Sequence, residues 1–210
     1  MLYSTFISGA VLAMLQVLPV SAMPATAPSS EGPLAGYGIE DITWELETES
    51  GATVNLTGTI EQVLQYAELN QIPLKQNPDY NVSDASSSSS TSIHARAGET
   101  LDCNVAQLNL ARVDKINDGV TYLRQVAGKP ANGPGPNNCG RVSCSWNSAI
   151  YWCNDNTVAK TLGTYNHIAD GAQFILNNCP YHEMGIFYMG VKGWVSMPDK
   201  WRVVITTNAC

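Results

Sequence analysis

Six cysteines, Cys103, Cys139, Cys144, Cys153, Cys179 and Cys210, all fall in the last 108 residues of a 210-residue chain. An even set confined to one stretch constrains folding strongly, because each pair that oxidises closes a loop and restricts the unfolded chain. The successive separations are 36, 5, 9, 26 and 31 residues. None is C-x-x-C, so the pattern fits neither a paired-ligand zinc site nor a thioredoxin-type redox motif. Three disulfides are the expectation for a chain that folds in an oxidising compartment.

The N-terminus points to such a compartment. Phe6 to Val20 (FISGAVLAMLQVLPV) is one uncharged apolar run, closed by Pro19 and the small residues of Val20-Ser21-Ala22. An apolar block followed by a small-residue cleavage pattern reads as a secretory signal peptide, residues 1–22. The run is shorter than the ~20 residues that cross a bilayer, and no other segment approaches that length. The expectation is a secreted, extracellular protein without stable membrane insertion. On that route Asn55-Leu56-Thr57 and Asn81-Val82-Ser83 become N-glycosylation sequons at Asn55 and Asn81.

Residues 83–99, built around SDASSSSSTSIHARA, have no apolar periodicity and read as a flexible linker. Charge changes sign across it. The part from Met23 to Ala95 carries −9 and the part from Arg96 onward +2, which together give the formal charge of −7. The acidity therefore belongs to the front segment, and no basic stripe supports nucleic-acid binding.

Within the front segment, residues 23–82, Ile42 to Glu47 (ITWELE) alternates as a strand. Ser50-Gly51 is a turn signal, and Ala52 to Leu56 can return as a second strand. Thr59-Ile60-Glu61-Gln62 is a capping box with Thr59 as N-cap, opening a helix to about Asn70. Ile60, Val63, Leu64 and Ala67 share one face of it. A ββα unit of about 35 residues is marginal alone, so it needs a surface to dock on. It is read either as a propeptide or as a permanent subdomain.

In the cysteine-rich part, residues 100–210, Leu101 to Cys103 can be a strand. A helix is expected from about Leu108 to Gly128, with Ile116, Val120, Leu123 and Val126 on one face. Lys129 to Asn138 (KPANGPGPNN) is a loop. Arg141 to Trp146 and Ala149 to Asn154 read as a hairpin around Asn147-Ser148, across which Cys144 and Cys153 could bridge. Thr164 to Cys179 gives another helix, in which Gly171 suggests close packing on a sheet. Gly185 to Val195 and Trp201 to Thr207 read as strands. The order β-α-β-β-α-β-β predicts an α+β fold: an antiparallel sheet with two helices packed on one face, disulfide-stabilised and preceded by the small ββα segment.

CGRVSCSWNSAIYWCNDN (Cys139 to Asn156), IADGAQFILNNC (Ile168 to Cys179), Trp201 to Ile205, Asp118-Gly119-Val120-x-Tyr122-Leu123 and the Pro-Gly loop before Cys139 resemble a widespread group of small secreted cysteine-rich fungal proteins. The likeness covers roughly Cys103 to Cys210. More distantly, the pattern is similar to the smut-type killer toxins and to necrosis-inducing fungal effectors. That resemblance implies a killer-toxin-like α/β sandwich acting on host or competitor cells, with no residue role carried over.

Candidates for catalysis are few. His94 lies in the linker, His167 and Asp170 are at i and i+3 on the last helix, and His182-Glu183 fall in a turn after Pro180. No G-x-S-x-G elbow and no H-E-x-x-H occurs, and nothing implies a cofactor. Carboxylate pairs leave no sequence spacing to read. The aromatics Trp146, Tyr151, Trp152, Phe187, Tyr188, Trp194 and Trp201 concentrate in the strand-rich half. Alternation puts Tyr151 and Trp152 on opposite faces. Such rings either pack the sheet or form an exposed platform for glycan or lipid, with Trp146, Trp152, Trp194 and Trp201 as candidate binding residues. The reading is a secreted effector or toxin-like protein that binds an unidentified surface protein or glycan on host or competitor cells. A wall-associated glycan-binding glycoprotein is the alternative, and an extracellular hydrolase the third possibility.

Overall fold

A computed structural model describes residue 34, residues 36–78, residue 80 and residues 98–210. Residues 1–22, read above as a signal peptide, together with Asn81, His94 and most of the serine-rich stretch, lie outside the described residues. The fold is α+β and carries three disulfides.

A six-stranded sheet organises it. From one edge to the other run β1 (Gly38–Asp41), β7 (Asn138–Ser145), β8 (Ser148–Asn154), β13 (Trp201–Thr206), β12 (Gly193–Met197) and β4 (Thr100–Asp102). Every pairing is antiparallel except β1 with β7, which is parallel and begins at Gly38 opposite Asn138. The helices α2 (Val113–Gln125) and α3 (Asn166–Asn178) cover one face. Along each strand alternate residues meet them: Ile150 and Trp152 from β8, Val203 and Ile205 from β13, Val195 from β12.

The opposite face is also closed. Tyr151, Cys153, Val204, Cys139 and Ala149 form a second core with Val105, Leu108 and Leu34. Leu108 therefore does not open a helix. The stretch before α2 crosses this far face, fixed by Lys192 Nζ donating to the carbonyls of Val105 (3.2 Å) and Leu108 (3.0 Å). It then forms β5 (Ala111–Arg112), and only after it does the helix begin. At its other end α2 stops before Gly128, which bridges Leu46 of the front segment.

The front segment is part of the same core. Its hairpin, β2 (Thr43–Glu47) with β3 (Thr53–Thr57), and its helix α1 (Ile60–Leu69) send Trp44, Leu46, Ile60 and Val63 among the side chains of α2 and α3. Trp44 stacks on Tyr165 with ring centroids 4.6 Å apart and donates from Nε1 to the Gly58 carbonyl at 2.7 Å. The Thr59 amide donates to Gln62 Oε1 at 2.9 Å, the reciprocal arm of the capping box. Further stitching comes from Arg202, which donates to Asp155 Oδ2 at 2.7 Å and to the Tyr37 hydroxyl at 2.6 Å.

The hairpin β7–β8 departs from expectation in two ways. Its turn is Trp146-Asn147, with φ of 49° and 57°, one residue earlier than Asn147-Ser148. A bulge between Arg141 and Ser143 then shifts the register by one, which sets Cys139 opposite Cys153. Without the bulge Cys153 would face Gly140. The disulfides are accordingly Cys139–Cys153, Cys144–Cys210 and Cys103–Cys179, not Cys144–Cys153. Glu61 of α1 closes the bulge: its carboxylate accepts from Ser143 Oγ (2.5 Å) and from the Cys144 amide (3.0 Å).

Gly171 sits where α3 meets the sheet. A Cβ there would lie 2.6 Å from Val203 Cγ2. Gly171→Ala gains about 1 kcal/mol on an open helix, yet here overpacking of about 1–3 kcal/mol is expected to prevail. A lowered melting temperature checks it. Tyr151 and Tyr165 give a pH prediction. Burial pushes both phenols well above the ordinary tyrosine range, helped at Tyr165 by nearby Glu45 and opposed at Tyr151 by Arg141. A raised folded pKa means stability is intact below the unfolded value of about 10 and falls as pH rises past it. Denaturant melts at stepped alkaline pH are expected to show that decline. Stability unchanged from neutral pH to well beyond pH 10 would contradict it.

Candidate functional site

Two hairpins end on one patch of surface. The first is the β7–β8 turn, where Trp146 is 72% exposed. The second is a three-residue loop between β10 (His182–Met184) and β11 (Tyr188–Val191), in a small sheet ordered β10–β11–β5. At its tip Ile186 is 87% and Phe187 80% exposed, and Tyr188 and Met189 follow at 45% and 42%.

Arg112 joins the two. Its guanidinium lies 3.6 Å from the Tyr188 ring centroid and 5.7 Å from that of Trp146. Asp114 holds it from below by a bidentate pair, Nε to Oδ1 at 3.1 Å and Nη2 to Oδ2 at 2.6 Å. The hydrogen bond to Arg112 holds the Asp114 carboxyl below the usual carboxylate range. The Arg112 amide also donates to Ser148 Oγ at 2.9 Å, so β5 is tied to the start of β8.

Local structure does not ask for these residues. A two-residue hairpin turn with left-handed backbone at both positions favours Asn, Asp or Gly. Asn147 suits it, but a tryptophan there is held in a conformation that bulky residues rarely adopt. Gly185, at φ 67°, supplies the turn of the second loop, whereas Ile186 and Phe187 stand where turn chemistry favours polar residues. Backbone strain and apolar exposure coincide here, a combination associated with function.

The other sequence candidates lie elsewhere. Trp152 and Trp201 are buried in the core, where no ligand reaches their faces. Trp194 is half-buried on the far face with Arg202 5.1 Å from its ring. Of the four tryptophans proposed for binding, Trp146 is the most exposed, and Trp194 keeps part of its surface in solvent. Asp170 pairs with Arg124 at 2.8 Å, joining α3 to α2. His182-Glu183 begin a strand rather than a turn. Asn55 is exposed on β3, opposite Glu45. Among the described residues no group of three His, Cys, Asp or Glu side chains is placed to hold a metal ion, and no helix is long and apolar enough to cross a membrane. Arg112 and Ile186 were not singled out by sequence reasoning. An arginine two residues before an aspartate at a helix start carries no signal of what it will stack on.

The fold and surface define a disulfide-bonded α+β protein with an exposed aromatic and apolar patch. Comparisons with protein-family models, with curated proteins and with solved structures returned no match.

Proposed function

We propose that this is a secreted effector or toxin-like protein that acts by binding to the surface of host or competitor cells. The observation that carries the reading is the patch of Trp146, Arg112, Tyr188, Phe187 and Ile186, which the fold tolerates but does not need. Three disulfides with no free cysteine and the absence of a spanning helix among the described residues are compatible with an extracellular life. The exposure of Asn55 is compatible with its glycosylation. The resemblance to small secreted fungal proteins supplies the class of target.

A second reading, binding to wall polysaccharide, is favoured by the Trp146 and Tyr188 rings, since flat aromatic faces suit the apolar faces of sugar rings. Purified protein applied to leaf tissue, to competing fungi and to wall polysaccharides separates the two. Cell death or growth arrest, lost in Trp146→Ala, supports the effector. Polysaccharide pull-down without a cellular effect supports the wall protein, and substrate turnover would overturn both.

A further inference from the structure

Resting on that reading, we infer that the surface the patch engages is the lipid of the target cell, through shallow insertion of the Gly185–Ile186–Phe187 hairpin tip into a zwitterionic bilayer. Shape is the first argument. Ile186 and Phe187 project from a three-residue loop as a convex apolar tip without polar side-chain atoms, a form that enters an interface more readily than it cups a sugar.

The order of residues is the second. Directly behind the tip come Tyr188 and, linked to it through Arg112, Trp146. Their rings combine an apolar body with a polar atom, the composition that settles at the headgroup level.

Charge is the third argument and decides the lipid. From His182 to Val191 the chain has no Lys or Arg and one acidic residue, Glu183. Arg112 is paired with Asp114 and Lys115 with Asp118 at 2.7 Å. A patch so balanced gains little from an anionic surface, so apolar burial drives the contact and added salt leaves it unchanged.

The test is co-sedimentation of the full, oxidised protein with phosphatidylcholine vesicles at low and high salt. Binding is expected at both, with no gain from added phosphatidylserine. Ile186→Ser and Phe187→Ser are each expected to weaken it about tenfold, as removal of one buried large apolar side chain should. Trp146→Asn is expected to weaken binding several-fold while leaving the melting temperature equal or higher, because Asn fits the turn backbone. No sedimentation of the wild type, binding only to anionic vesicles, or full vesicle binding by the Ile186→Ser/Phe187→Ser double variant would each overturn the inference. So would capture by a polysaccharide or a surface protein that the same substitutions abolish while vesicles bind nothing. The cellular assay keeps the two readings apart: vesicle binding without a cellular effect sinks the effector reading alone. A cellular effect retained by the double variant sinks the lipid inference alone.

Discussion

Trp44→Ala is expected to lower the folding free energy by about 3–5 kcal/mol, the range for deleting a fully buried tryptophan. The side chain is completely buried, stacks on Tyr165 and donates to the Gly58 carbonyl. Removing it opens a void between the front hairpin and α3 and leaves a buried carbonyl without its donor. Against the 5–15 kcal/mol typical of a domain, that is a large share of total stability. A urea melt of the full chain should show the midpoint fall, and loss of near-ultraviolet dichroism across one transition would show that both parts unfold together. A loss below about 1 kcal/mol would mean that the front segment is an appendage whose packing contributes nothing to the rest.

The second large effect concerns the bridge Cys103–Cys179. It spans 76 residues and ties the end of β4 to the end of α3. Loop-closure entropy assigns such a link about 4.5 kcal/mol, against about 3 kcal/mol for the 14-residue loop of Cys139–Cys153. The Cys103→Ala/Cys179→Ala variant is therefore expected to melt below the Cys139→Ala/Cys153→Ala variant. The reverse order would show that strain or packing in the hairpin outweighs chain entropy. Both melts need the remaining bridges kept oxidised, because reshuffling would remove the two-state basis of the comparison.

What was legible in the sequence was local. The capping box at Thr59, the helix ending at Cys179, the terminal strand and the close approach at Gly171 all rest on neighbours within a few residues, and each lies where its pattern places it. Periodicity also separates Tyr151 from Trp152 onto opposite faces, but it does not reveal that both faces are covered. That depends on Val105 and Leu108 crossing the far side, a choice made by tertiary packing against their helical pattern. The cysteine pairing was illegible for a related reason. One bulge decides which residue faces Cys153, and a bulge leaves no composition signal in RVSCSW. The site was half legible: its exposed rings could be named, while the arginine that joins them could not.

The parallel pairing of β1 with β7 bears on any processing event. Gly38–Asp41, Glu61 and Trp44 come from before the serine run and complete an edge, a bulge and a core that lie after it. The two sides of the serine run thus complete one another's structure within a single chain. A nick in the serine run is therefore expected to change the number of polypeptides without changing the number of folded bodies. A shortened mass measured after denaturation reports cleavage, and only a native measurement reports whether the acidic piece has left.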